Sequence, residues 1–307
     1  MAEPRRLLVT GGTGFVGKVL CRRLVQCGYR VTVLTRDASA ASQALPLPGI
    51  EFVQSLDDLG VSQCWFAVVN LAGEPLNSGR WNKERKSLFR DSRISLTKAL
   101  VSWIGELDQP PKVFVSASAT GWYGHWRDEM LDEDSRHNTG YAQRLCADWE
   151  RAARDGLPKS CRGCQLRIGI VLGPSGGPLS AMLAPARLGL GGAMGTGAQW
   201  WSWIQIEDLS RLICFLLEEE SIEGVVNGTA PNPVRQKDFA KVLGGVLRRP
   251  SLLPLPGFVA SLMLGEFADE ILLNGQRVLP ARALAAGFAF DYPELRGALE
   301  ATLGLQR

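Results

Sequence analysis

Short apolar runs alternate with helically spaced segments through the first half of this chain. Residues 7–9, 31–35, 51–53, 66–71, 113–116 and 166–172 read as strands. Between the first two, Val19, Leu20, Leu24 and Val25 share one face of a helix running from Lys18 to Cys27. Strands interleaved with helices predict an α/β architecture, a parallel sheet covered by helices on both faces. Ligands of such sheets gather at the carboxyl ends of the strands, which directs attention to residues 11–17, 35–37, 72–74, 116–124 and 169–174. After about residue 172 the texture changes. A glycine-rich run from Gly189 to Gly197 leads into Trp200, Trp201, Ser202 and Trp203, and a proline- and leucine-rich tract follows from Pro250 to Gly257. These segments predict a smaller C-terminal lobe built over the sheet.

The first predicted turn carries the clearest chemistry. Gly11, Gly14 and Gly17 punctuate the passage from the first strand into the first helix. Gly11 suits the φ values of a sharp turn, Gly14 removes the Cβ that would keep a pyrophosphate away, and Gly17 permits close packing of helix on strand. The N-terminus of the helix supplies unpaired N–H groups to an anion. This predicts a Rossmann-like doubly wound parallel sheet that binds a dinucleotide. Residues 1–172 are its NAD(P)-binding domain, with part of 198–230 returning to it, and 173–307 form mainly the substrate lobe and the C-terminal segment. Arg36 ends the second strand, where an acidic residue would hold the adenosine 2′-hydroxyl of NAD. An arginine there favours the 2′-phosphate of NADP(H) over NAD(H).

Composition narrows the partners. The 34 basic and 31 acidic residues leave a net charge of +3 without a single-sign block, so neither a nucleic-acid face nor a membrane-surface patch is expected. No apolar run reaches the ~18 residues of a membrane span. The seven scattered cysteines fit reduced thiols in a cytoplasmic, soluble protein. Cys161 and Cys164 have redox or zinc spacing but no second pair or histidine cluster beside them, and no metal site is expected; His125 and His137 lie in polar loops and read as solvent-facing. Trp201 and Trp203 share one face of an extended segment, either as the wall of a substrate pocket or as core. A homo-oligomer is compatible with the sequence.

Several motifs together resemble the extended short-chain dehydrogenase/reductase superfamily, whose best-known members are nucleotide-sugar epimerases and dehydratases. They are the Gly11–Gly14–Gly17 turn, Asn70-Leu71-Ala72-Gly73, Ser116-Ala117-Ser118-Ala119-Thr120 and Val171-Leu172-Gly173-Pro174. Glu74-Pro75, Arg80-Trp81, Ser92-Arg93, the segments from Arg187 to Gly192 and from Trp203 to Leu209, Gly275 to Pro280, and Gly287 to Phe290 look like its atypical "epimerase family" branch. The resemblance implies a hydride-transferring oxidoreductase or epimerase acting on a small hydroxylated or carbonyl substrate. It assigns Gly11, Gly14, Phe15, Val16, Leu71, Ala72, Gly73 and Arg93 to the cofactor beside Arg36.

The resemblance also places Ser118 as the hydroxyl that polarises substrate and Tyr141 as the proton carrier. In that superfamily a lysine four residues after the tyrosine, with the nicotinamide charge, lowers a phenol pKa from about 10 toward neutrality. Here Leu145 stands at the lysine position, and Arg144 is one residue early, roughly 100° round the helix. Tyr123 and Glu74 are the alternative acid/base groups. With the lysine missing, a cofactor-binding sensor that engages a protein partner without turnover is the competing expectation.

Overall fold

The computed structural model describes residues 4–77 and 79–305. Its first half runs β1 (Arg6–Thr10), α1 (Phe15–Gln26), β2 (Arg30–Leu34), α2 (Ala38–Ala44), β3 (Ile50–Val53), β4 (Ala67–Asn70), α3 (Lys83–Arg90), α4 (Leu96–Glu106), β5 (Val113–Ala119) and α5 (Tyr141–Arg154). These five strands, with Arg162–Ile168 and Gly224–Gly228, form one seven-stranded sheet. Its order is Gly224–Gly228, Arg162–Ile168, β5, β4, β1, β2, β3, and every pair is parallel. This is a Rossmann-like α/β fold.

Burial on both faces explains the unbroken apolar runs. Leu7 and Val9 of β1 point into one core with Val31, Val33, Leu20 and Leu24, whereas Leu8 points into the other with Val68, Phe114, Leu100 and Ile104. Strand order reverses between β1 and β4, so a crevice opens there at the carboxyl ends. A buried polar chain braces its floor. Thr10 Oγ1 donates to Asn70 Oδ1 at 2.7 Å, and Asn70 Nδ2 donates to Thr97 Oγ1 at 2.8 Å and to Ser116 Oγ at 3.2 Å, tying β1, β4 and β5 to α4.

Two elements differ from the pattern-based reading. The run 166–172 is not one strand, because the chain leaves the sheet at Gly169. A Cβ there would strike the carbonyl of Ser202, and the residues beyond, Ile170–Leu172, pair with Trp203–Gln205 instead. The seventh strand, Gly224–Gly228, carried no sequence signal because it is short and bounded by glycines. Helix Ile206–Glu218 and this strand belong to the sheet half of the molecule, with Ile206, Leu209 and Leu212 in the same core as β1.

The remainder of the C-terminal half packs around its own core of Leu172, Leu183, Trp201, Trp203, Phe239, Leu243 and Leu299. Trp201 and Trp203 are therefore core residues; the Trp201 ring meets Phe239 edge-on at 5.0 Å. Trp200 faces the other way, with its Nε1 donating to Asp128 and the Arg277 guanidinium 4.5 Å from its ring. All seven cysteines are unpaired. Among the described residues no helix is long and apolar enough to cross a membrane, and no group of three His, Cys, Asp or Glu is arranged to hold a metal.

Candidate cofactor and active site

Of the four glycines that follow β1, Gly11, Gly14 and Gly17 are glycine for three different reasons. Gly11 takes φ +70°, and a Cβ on it would lie 2.7 Å from the Leu71 carbonyl carbon, so the β4 loop packs directly on its backbone. A Cβ on Gly17 would sit on the Gly11 carbonyl oxygen and 2.7 Å from Gly12 Cα. Gly14, by contrast, is exposed and has an ordinary φ of −74°, and its missing Cβ would meet only the Gly11 oxygen at 3.1 Å. Open space is what its lack of a side chain provides. No side chain caps the N-terminus of α1, so the first N–H groups of that helix are left for an anion. A pyrophosphate fits this cradle.

Phe15 and Val16 follow the cradle but point away from it. The Phe15 ring is clasped by Gly173, Gly176 and Gly177, each of which would put a Cβ 2.5 to 2.8 Å from its carbons. Val16 packs against the sheet core. Their side chains hold the turn. At the end of β2, Arg36 is exposed, and Asp37 is committed elsewhere, its Oδ1 accepting from the Ala40 N–H at 2.9 Å as the cap of α2. Arg36 makes no ion pair among the described residues.

In the β4 loop, Leu71 N–H donates to the Thr10 carbonyl at 3.1 Å and Ala72 N–H to Thr10 Oγ1 at 3.4 Å. Arg93 comes from a π-helical turn, Asp91–Ser95, that lets α3 run into α4. Its guanidinium lies flat against Gly73, where a Cβ would come within 3.0 Å of its Cζ, and 5.2 Å from the Trp149 ring. It donates to the Glu74 carbonyl at 3.0 Å and the Phe89 carbonyl at 3.2 Å. Arg93 thus shapes the loop that faces the crevice, with its own donors turned to protein carbonyls.

Of the proton carriers, Tyr141 opens α5 half-buried, its ring 5.1 Å from Trp81 and under the Lys86 ammonium. Burial and then the Glu266 carboxylate raise its pKa, with Arg93 and Arg90 opposing. It is a neutral phenol at neutral pH. Leu145 is buried in an apolar cluster with Phe89, Ile94 and Trp149, and Arg144 is exposed, so neither supplies the missing cation.

Tyr123 does not fit the proposed carrier role. It is fully buried, its hydroxyl lies 2.8 Å from both the Asp132 carbonyl and Asn227 Oδ1 and its one proton is shared between these two acceptors, and burial pushes its pKa up to about 12. The turn Thr120–Tyr123 folds its side chain beneath the sheet edge. Glu74 is ion-paired with Arg85 at 3.3 Å, joining the β4 loop to α3.

Three residues that motif reading did not single out are part of this region. Glu270, from the C-terminal half, accepts from the Tyr141 and Ala142 N–H groups at 3.4 and 3.3 Å, and lies 3.8 Å from His125. His125 is therefore half-buried against a carboxylate, while His137 is exposed beside Trp122. Behind Ser118, Glu150 and Arg167 form a buried ion pair. Ser118 Oγ donates to Glu150 Oε1 at 2.7 Å, so the only proton of Ser118 is already engaged. A charge placed among apolar neighbours, Glu150 after Trp149 and Arg167 after Leu166, was the available sequence signal; their pairing across α5 and the sheet was not.

The fold agrees with known proteins. Residues 7–227 match the model of the NAD dependent epimerase/dehydratase family, and residues 255–302 match a domain of unknown function, DUF1731. The chain is 42% identical over 300 residues to the epimerase family protein SDR39U1 homolog, chloroplastic, of Arabidopsis thaliana, covering 96% of this chain and 86% of that protein. It is 38% identical to epimerase family protein SDR39U1 of Mus musculus, covering 96% and 98%. A crystal structure of the human epimerase family protein SDR39U1 (isoform 2) with NADPH superposes with a TM-score of 0.88 at 37% identity, covering 97% of this chain and 99% of that one. This chain is a member of the NAD dependent epimerase/dehydratase family.

Proposed function

We propose that this protein binds NADP(H) in the crevice between β1 and β4 and uses it for hydride transfer to or from a small hydroxylated or carbonyl substrate. The observation that carries the reading is the pairing of an open Gly14 cradle with an uncommitted Arg36 at the end of β2. Backbone N–H groups at the start of α1 would hold the pyrophosphate, and Arg36 the 2′-phosphate. The 37% identical human relative solved with NADPH supports the choice of cofactor. The bound nicotinamide supplies a two-electron hydride couple; the protein orients the substrate, excludes water and moves the proton.

Removing Arg36 tests the cofactor assignment. Arg36→Ala is expected to weaken NADPH by about 1.5–3 kcal/mol, the range for hydrogen bonds to charged groups, which is roughly 10- to 150-fold in Kd. NADH affinity should barely change. Titration of both cofactors into both proteins measures it, and wild type that binds NADH and NADPH equally would refute the 2′-phosphate reading.

A second reading, an NADP(H)-binding sensor without turnover, is favoured by the apolar surroundings of Leu145 and the raised pKa of Tyr141. The experiment that separates the two is incubation of NADPH-loaded protein with a panel of sugars, nucleotide sugars and aromatic and aliphatic carbonyls. Cofactor oxidation by any member supports the enzyme. An inert protein that captures a partner only when loaded supports the sensor.

A further inference from the structure

We propose that a groove in the C-terminal half, remote from the crevice, binds a second ligand: a phosphate ester with an apolar body. The inference is independent of hydride transfer. Three helices border the groove, Gly177–Arg187, Gln236–Leu247 and Leu295–Thr302. The first of them starts at the Phe15 clasp, and Arg187 lies at its opposite end, about 15 Å further on at the usual rise of a helix. The groove measures about 1060 Å³. Small-molecule sites run to ~300–1,000 Å³, so a bare inorganic ion would not fill it.

Arg187, Arg248, Arg249 and Arg296 line the groove, with Glu300 as the one carboxylate and no lysine among the lining residues. Arg296 Nη1 lies 3.6 Å from Glu300 Oε1. The other three arginines are exposed and make no ion pair among the described residues. Helix dipoles account for cations at Arg187 and Arg249, both at the carboxyl ends of helices. They do not account for the other two. Arg248 sits at φ 55° and ψ 44°, the left-handed conformation that glycine ordinarily takes at a helix end. It is the only non-glycine residue with a positive φ among the described residues. Arg296 is the second residue of its helix, the end where the dipole repels a cation, and it precedes Glu300 in the less favourable order for such a pair. Both positions give up local stability to set a guanidinium on the groove.

The side chains define the ligand. An all-arginine set presents flat forks of N–H donors, which match the oxygens of a phosphate two at a time. Four guanidiniums against one carboxylate leave positive charge that a phosphate dianion can offset. Gly245 keeps the wall open, since a Cβ there would come 3.4 Å from Arg296 Nη2. Val246, Leu247 and Leu303 supply apolar surface beside the charges, which a phosphate alone would leave uncovered.

The test is calorimetric titration of NADPH-saturated protein with hexyl phosphate at low ionic strength, with inorganic phosphate for comparison. Wild type is expected to bind hexyl phosphate about tenfold more tightly than inorganic phosphate, the effect of burying roughly two methylenes. Its affinity should fall as salt rises. Arg187→Gln combined with Arg248→Gly should raise the hexyl phosphate Kd about tenfold and leave the NADPH Kd unchanged. Arg248→Gly alone should keep or raise Tm, because glycine suits the left-handed φ. A clear fall in Tm would make Arg248 a packing residue and overturn the reading. Hexyl phosphate that binds no better than inorganic phosphate, or an unchanged Kd in the double variant, would overturn it too. Flotation with phosphatidylcholine vesicles, with and without phosphatidylglycerol, separates two sources of the ester. Recovery only with phosphatidylglycerol, lost in the double variant, assigns the phosphate to a bilayer lipid; hexyl phosphate binding without flotation assigns it to a soluble molecule.

Discussion

Gly14→Val is expected to eliminate NADPH binding while stability persists, and Gly17→Ala to lose both binding and part of the stability. The two glycines stand three residues apart in one turn, yet their surroundings are opposite. At Gly14 the backbone φ of −74° is open to any residue, and an added Cβ meets only one oxygen at 3.1 Å. A valine there costs the protein little and fills the space assigned to the pyrophosphate. The loss should reach about 3 kcal/mol or more, roughly 100-fold and beyond. At Gly17 the added carbon would overlap the Gly11 carbonyl and crowd Gly12, both of them backbone, so the turn must open. Overpacking of this kind costs about 1–3 kcal/mol in stability and misplaces the anion cradle. Calorimetric titration with NADPH, together with thermal unfolding, separates the two outcomes. A Gly14→Val protein that binds NADPH normally would place the phosphates elsewhere.

Breaking the buried ion pair should have the largest effect on stability. Glu150→Leu alone leaves the Arg167 guanidinium uncompensated inside the protein and is expected to destabilise it by about 3–5 kcal/mol. Adding Arg167→Met should recover most of that loss, because an apolar pair of similar volume replaces charges whose desolvation was costly. Recovery has a ceiling, since Arg167 also covers the Trp122 ring. Urea denaturation of wild type, the single variant and the double variant gives the comparison. If the single change costs under about 1 kcal/mol, solvent reaches the pair and its burial has been overstated.

The contrast between these positions shows what each level of description could reach. Local rules were enough for β1 to β5 and for the glycine turn. Both faces of β1 are covered, so its residues had to be a continuous apolar run, and the glycines had to follow within the turn that enters α1. Arg36 was legible for a similar reason, because it lies directly at the end of a recognisable strand. Leu145 was legible too, but only as a departure from a resembling pattern.

Tertiary structure decided the rest. Tyr123 and Ser118 lie in one short segment, and nothing local distinguishes a phenol folded beneath the sheet from a hydroxyl beside a buried carboxylate. Asn227 and Asp132 fix the first, and Glu150 fixes the second, from elsewhere in the chain. Gly73 read as a cofactor contact, whereas the Arg93 guanidinium, brought in by the π-helical turn between α3 and α4, is what lies against it. Gly173, Gly176 and Gly177 read as a strand end and a loop, and they are the clasp of Phe15. The sequence by itself determined where a dinucleotide could be cradled, because that depends on backbone conformation within one turn. Which groups can handle a proton depends on distances between strands and helices remote in the chain, and only the packed sheet sets those.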